Sequence, residues 1–152
     1  MKPTVDEDIW GPPVCFTIPG RPQPKERPRA SVVGGRVARI YTPSRTLRYE
    51  WLVASCVPSE PVPGPAVRVV LRVVLPRPKA KPRWVPKWMW LQPEPYHRGA
   101  ADLDNCIKSV LDGMDGWLGN DRAVVEIQAT KVCGDTPRVD VSVQGLRGIG
   151  DT

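Results

Sequence analysis

The sequence predicts an α+β fold: a single domain in which a mixed or antiparallel β-sheet carries two main helices. Three observations predict it. Short runs rich in Val and Ile recur along the chain, bounded by Gly and Pro as strands are. Two stretches place apolar residues at helical spacing behind helix-start signals. The 152 residues fit one domain that can bury a core.

The elements follow in order. Residues 1–13 are a polar lead-in, expected to be flexible. Residues 14–18 are β-branched and aromatic, a first strand. Residues 19–28 (PGRPQPKERP) cannot be regular structure, because their prolines remove donors and fix φ. They form an extended basic loop. Residues 30–33 and 36–41 flank Gly34-Gly35, a hairpin signal. Thr42 as N-cap and Pro43 at the first helical position then open a helix. Leu47, Trp51, Ala54 and Cys56 or Val57 give its apolar spacing, and it ends before Pro58.

Residues 58–65 are a proline-rich connector. Residues 66–75 (AVRVVLRVVL) are the strongest strand, broken by Arg68 and Arg72, which reach solvent or a ligand. Residues 76–100 are basic and proline-rich and carry Trp84, Trp88 and Trp90. A structureless stretch this long is unusual in a compact domain and often functional. Residues 102–114 read as an N-capped helix with Ile107, Val110, Leu111 and Met114 on its apolar face, ended by Asp115-Gly116. Residues 124–133 and 138–143 are two further strands, expected as a hairpin across Gly134-Asp135. The folded domain is expected over 14–144, with 145–152 a flexible tail.

Composition narrows the class. The chain holds 22 Lys and Arg against 16 Asp and Glu, a net charge of +6, which favours anionic partners, nucleic acid first among them. Its 19 prolines, more than twice the usual ~5%, point to many loops. The four cysteines are widely spaced with no Cys-x-x-Cys pair, so they read as reduced thiols of a cytoplasmic protein. The N-terminus lacks the apolar stretch of a signal peptide, and no apolar run is long enough to span a membrane.

The charge is also segregated. Residues 19–48 carry eight Lys or Arg against Glu26, and residues 68–98 carry eight against Glu94. Residues 99–121 reverse the sign, with five Asp against Lys108. An acidic block between two basic ones suggests a divalent cation held against a phosphate backbone.

Within that block, Asp102 and Asp104 are two residues apart. Inside a helix that spacing would point them to nearly opposite sides. On extended chain it places them on one side. A chain that arrives extended and turns helical near Asp104 or Asn105 satisfies both demands and sets the carboxylates at a positive helix end. Taken alone, the pattern is weak and reads first as an ordinary helix cap. Lys108, four residues after Asp104, is either a weak surface pair or a cation beside the metal and the phosphate. Asp121 would join from a separate turn; its simpler reading is a turn residue. Asp112, four residues after Lys108, reads as that lysine's partner on the helix surface or as a supporting group.

These residues resemble the core of the RusA family of Holliday junction resolvases, which phages and prophages encode. The resemblance rests on Asp102-Leu103-Asp104-Asn105 with Lys108, on Leu111-Asp112-Gly113, and on Asn120-Asp121 before Val124-Val125-Glu126. Upstream, Phe16-Thr17-Ile18-Pro19-Gly20, Pro24-Lys25, Arg27-Pro28-Arg29 and Tyr41-Thr42-Pro43 are similar to that family's opening strand, basic loop and first helix. Two departures stand out: Ala100-Ala101 where the family often has Lys-Pro, and Asn120-Asp121 where an Asp pair is common.

The resemblance implies a RusA-like fold and a homodimeric, Mg²⁺-dependent endodeoxyribonuclease that nicks four-way junctions symmetrically, with Mn²⁺ able to substitute. It implies Asp102, Asp104 and Asp121 as metal ligands and Lys108 as the catalytic lysine. Arg21, Lys25, Arg27, Arg29, Arg72, Lys79, Lys81, Arg83 and Lys87 are the expected DNA contacts, and a bacterial cytoplasm is the expected setting. A nuclease for flaps or forks, and a catalytically silent basic DNA-binding protein, remain the alternatives.

Overall fold

The computed structural model of the protein describes residues 9–99 and 101–148, with Asp121 described by its backbone alone. Residues 1–8, Ala100 and residues 149–152, with the expectations placed on them, lie outside that description.

The strands are β1 (Val14–Pro19), β2 (Arg29–Val33), β3 (Arg36–Tyr41), β4 (Val67–Pro76), β5 (Val124–Gly134) and β6 (Arg138–Gly145). The helices are α1 (Ser44–Cys56), the four-residue α2 (Lys87–Trp90) and α3 (Leu103–Leu118). A 3-10 turn, Asp121–Ala123, precedes β5. The main sheet has the order β1-β6-β4-β5, and β2 and β3 form a separate hairpin. β6 runs antiparallel to both its neighbours, while β4 and β5 are parallel. The sheet is therefore mixed and the fold is α+β, with two long helices on one face as the sequence predicts.

β4 sits at the centre because it is apolar on both faces. Val67, Val69, Leu71, Val73 and Leu75 point into the helix layer and are buried. They meet Ile18, Val139, Val141 and Val143 from the sheet, and Tyr49, Val53, Cys106, Val110, Met114 and Leu118 from the helices. Arg68 and Arg72 point to the opposite face, as alternation requires.

β5 and β6 do not form the expected hairpin. They flank β4 instead, two strand spacings apart, or about 9.6 Å. The short link 135–137 spans that gap over the end of β4. The rearrangement gives the most apolar strand of the chain a partner on each side.

The helices also differ in detail from the sequence reading. α1 buries Thr46, Tyr49 and Val53, whereas Trp51 is 70% exposed and Leu47 lies outward too. The stripe is rotated because α1 crosses α3 at Gly113. A Cβ at Gly113 would lie 2.5 Å from the Val53 Cβ and 2.9 Å from the Glu50 carbonyl oxygen. α3 runs through Asp115-Gly116 to Leu118, because Leu118 is buried and Trp117 donates to the Glu60 carbonyl at 2.8 Å. It stops at Gly119, whose φ of 76° needs no Cβ clearance. The lead and tail are partly tied down: Trp10 is buried, bridges Leu146, and lies under the Arg68 guanidinium.

Candidate active site

Asp102 occupies the N-cap of α3, with φ −69° and ψ 133°. The chain arrives extended and turns helical at Leu103, one or two residues before the expected place. A capping aspartate would accept a bond from a backbone N–H two or three residues on. Asp102 makes no such side-chain bond; its main-chain carbonyl instead accepts the Cys106 N–H at 3.1 Å. Asp104 follows in the first turn, and both carboxylates are exposed.

Lys108 is exposed one turn further on. No ion pair joins it to Asp104 or Asp112 among the described side chains. The N-cap and first two turns of α3 therefore present two oxygen donors and an ammonium, none tied to another described group. The residue between them, Cys106, faces the core, where burial pushes its thiol up to about 11. It is no ligand.

Two devices hold this turn in place. The first is the basic loop before β2, which is stitched along α3. The Lys25 N–H donates to the Asn105 carbonyl at 2.9 Å, and the buried Ser109 hydroxyl donates to the Gln23 carbonyl at 2.7 Å. Lys25 Nζ lies 2.8 Å from Glu50 and 2.7 Å from Asp112. Burial alone would lower its pKa, but the bonds to Asp112 and Glu50 outweigh that and the net shift is upward. Lys25 is thus held by α1 and α3 and does not project toward a ligand. Asp112 is its partner, not that of Lys108.

The second device is Lys131 on β5. Its ammonium donates to the Ala101 carbonyl at 2.6 Å and approaches those of Arg98 and Gly99 at 3.4 and 3.5 Å. Alongside, His97 N–H donates to the Lys131 carbonyl and Cys133 N–H to that of Pro95. Burial, with Lys131 nearby, lowers the pKa of His97. The long segment after β4 is therefore fastened to β5 just before it delivers Asp102.

The stitched loop sets a positive cleft against the acid pair. Arg21, Gln23, Arg45, Leu75 and Ala101 line a cavity of about 430 Å³ at the start of α3. Arg45 also lines the adjoining cavities beside Arg29 and Arg48. The sequence reading counted Arg45 and Arg48 in the first basic block but did not name them as DNA contacts; their charge there was the available signal. Arg27 and Arg29 are exposed, the latter in a loose pair with Glu26 at 3.2 Å.

The remaining expected DNA contacts separate. Arg72 lies on the far face of the sheet, bound to Glu94 at 2.8 Å, and Glu94 also binds Arg138 at 2.9 Å. It pins the segment after β4 and does not reach the cleft. Lys81 donates to the Val85 carbonyl at 2.6 Å. Lys79, Arg83 and Lys87 are exposed. Trp84 and Trp88 are exposed too, while Trp90 lies under the Arg77 guanidinium at 4.1 Å.

Asp121 is where the structure departs most from expectation. Its backbone lies in the 3-10 turn after the C-terminal end of α3, whereas Asp102 precedes the N-terminal end. Within one chain the helix keeps them apart. Among the described residues, no three His, Cys, Asp or Glu side chains gather as a metal cluster. The donor set of one chain is two carboxylates, hard ligands that suit Mg²⁺, which takes one or two carboxylates and keeps several waters.

Fold and site together define a small basic α+β protein with two exposed carboxylates at the start of a helix, near a cleft lined by arginines. The chain belongs to the RusA family: the family described as "Endodeoxyribonuclease RusA" matches residues 19–144. It is an endodeoxyribonuclease of the Holliday junction resolvase class, acting on branched DNA. The chain is also similar to the uncharacterised protein YqaN of Bacillus subtilis (strain 168), 27% identical over 142 residues, covering 86% of this chain and 95% of that one. Among the described residues, no helix is long and apolar enough to cross a membrane.

Proposed function

We propose that the protein is a Mg²⁺-dependent, homodimeric resolvase that nicks two opposed strands of a four-way DNA junction, with Mn²⁺ able to replace Mg²⁺. One observation carries this reading. Asp102 stands at a helix N-cap without capping it, beside Asp104 and an unpaired Lys108. A carboxylate left out of the bond its position offers is available to a cation.

In this reading Asp102 and Asp104 hold the ion, with Asp121 as the third carboxylate. Bound there, Mg²⁺ would acidify a water and draw charge from the scissile phosphate. Lys108 donates to an oxygen of that phosphate, where negative charge grows during displacement. Arg21 and Arg45 seat the neighbouring phosphates in the cleft. Arg27, Arg29, Lys79, Lys81, Arg83 and Lys87 extend the contact along the junction arms. The products carry 5′-phosphate and 3′-hydroxyl ends.

The exposed hairpin supports the dimer. Val32, Val33, Val37 and Ile40 are each more than 60% exposed, and a hairpin with no covered face is marginal alone. The working place is the bacterial cytoplasm, and the gene is of phage or prophage type.

A labelled four-way junction with Mg²⁺ tests the reading. Paired symmetric nicks are expected. Asp104→Asn and Lys108→Ala should each reduce nicking by about 100-fold or more while leaving junction binding in place. Wild-type cutting by Asp104→Asn would sink the assignment. A panel of flap, fork and duplex substrates decides between junctions and other branched DNA.

A further inference from the structure

The segment between β4 and Asp102 is fastened to the sheet at two places. Glu94 binds Arg72 and Arg138 on the far face. At the β5 edge Tyr96 bridges Val132, and His97 N–H donates to the Lys131 carbonyl. Beside these anchors a cavity of about 400 Å³ opens on the far face of the sheet. Arg72, Thr130 and Val132 line it from the strands, Trp88 and Met89 from α2, and Tyr96 from the edge.

Packing does not explain its aromatics. The segment has packing residues of its own: Val85 is buried, and Trp90 lies under the Arg77 guanidinium at 4.1 Å. Trp88 and Tyr96 stand close by in the chain, yet they are 66% and 57% exposed. Large aromatics ordinarily spend most of their surface on packing. Among the described residues, neither ring stacks on another ring or lies under a guanidinium. The arginine of the cavity, Arg72, is held by Glu94.

We propose that this cavity holds one unpaired nucleobase of the branched DNA, stacked against Trp88 and Tyr96. The proposal rests on the assignment of branched DNA as the substrate. An aromatic face stacks on any base. Gln92 and Thr130 bring an amide and a hydroxyl to the same cavity, groups that both donate to and accept from base edges. Lys87, directly before Trp88, and Arg98, just after His97, are exposed, so phosphates flanking the base meet a cation on either side. Residues 76–98 carry six Lys or Arg against Glu94, which is already paired. An apolar peptide gains nothing from those charges, whereas a nucleotide strand needs them.

The cavity also lies close to the acid pair along the chain. Tyr96 precedes Asp102 by six residues. Lys131, next to the bridged Val132, donates to the Ala101 carbonyl at 2.6 Å. A base held here belongs to a strand that passes near the start of α3. Taking a base out of a duplex costs its stacking and pairing, and costs least where the base is already unpaired. The cavity thus reads branching, not sequence, and favours a branch point over plain duplex.

Binding to a labelled four-way junction and to a duplex of equal length, both in chelator to prevent cutting, tests this. Trp88→Ala and Tyr96→Ala should each weaken junction binding about 10-fold and leave duplex binding and Tm as they were. Trp88→Phe should keep most of the affinity. An abasic nucleotide at the branch point should weaken wild-type binding by a similar factor, and Trp88→Ala should add little to that loss. In the wild type, iodouracil at the same position should photo-crosslink to Trp88 or Tyr96, identified by mass spectrometry.

Alanine variants as tight as a wild type that prefers the junction overturn the base site and leave the branched-DNA assignment standing. A wild type that binds junction and duplex equally overturns both. Equal losses on junction and duplex mark an ordinary surface contact and overturn base capture. Variants unchanged on DNA but altered in oligomeric state by light scattering make the patch a protein contact, which overturns it too. Should the alanine variants fail to fold, the wild-type crosslink decides, and crosslinks confined to other residues sink the proposal.

Discussion

A single side chain changes meaning with what surrounds it, and Lys25 and Arg45 make the contrast. Both belong to the first basic block, and charge alone assigns Lys25 to DNA and overlooks Arg45. Proximity in space reverses them. Lys25 bridges Glu50 on α1 and Asp112 on α3, while Arg45 opens onto the cleft above Ala101. Lys25→Met leaves the partly buried Glu50 and the exposed Asp112 unpaired and should cost about 1 kcal/mol after solvent screening, a fall of roughly 2–4 °C in Tm. The salt dependence of junction binding should stay as it was. Arg45→Ala should do the opposite: unchanged Tm, and a slope of log K against log salt shallower by about one. If Lys25→Met keeps its Tm and loses salt slope, Lys25 is a phosphate contact after all. The acid pair and Lys108 were legible in the sequence because they lie close together along the chain, from the N-cap of α3 into its second turn. Asp102's missing cap bond was not, since whether a side chain closes on its own backbone depends on the local approach of the chain.

Elements were legible where the pattern was local. The first strand, the hairpin, the central apolar strand and both long helices stand within a few residues of their sequence-read positions. What was not legible was the order of the strands. Nothing local says that the chain crosses the end of β4 before β6 begins, because the choice is made by which strand needs two covered edges. The segment after β4 is the second case. It reads as a long loop, yet Glu94 staples it to the far face of the sheet through Arg72 and Arg138. Burial alone would raise the Glu94 pKa, but the two arginines outweigh it and hold the carboxyl below its ordinary 4.5. A carboxyl lowered in the folded state adds stability that is complete above its unfolded value and is lost as pH falls through the folded one. Glu94→Gln should therefore melt lower than wild type near pH 7, by about 1–2 kcal/mol. The two melting curves should converge as pH falls from 4.5 through the lowered folded value. A difference that persists undiminished in strong acid would mean that the staple acts through packing, not charge.

At the scale of the molecule, the same chain must attract phosphates and place carboxylates against them. The net charge is +6, yet residues 99–121 hold five Asp and one Lys. Arg21 and Arg45 line a cavity that reaches Ala101, the residue before Asp102, so attraction and repulsion meet near the start of α3. Without a divalent ion the two exposed carboxylates oppose the phosphate that the arginines draw in. With one bound, the local sign reverses. Ca²⁺ is the useful probe, because it takes the same oxygen ligands and should support binding with little cutting. At constant ionic strength, Ca²⁺ should tighten junction binding by wild type about two- to fivefold. That factor corresponds to ~0.5–1 kcal/mol for partly solvated charges. The Asp102→Asn/Asp104→Asn double variant should bind more tightly than wild type in chelator and should not respond to Ca²⁺. Gel-shift or anisotropy titrations at matched ionic strength read both effects. Equal Ca²⁺ responses from the two proteins would place the ion elsewhere on the DNA or the protein. In that case the acid pair would have to be explained as structure, and a helix cap that makes no capping bond would be left without a purpose.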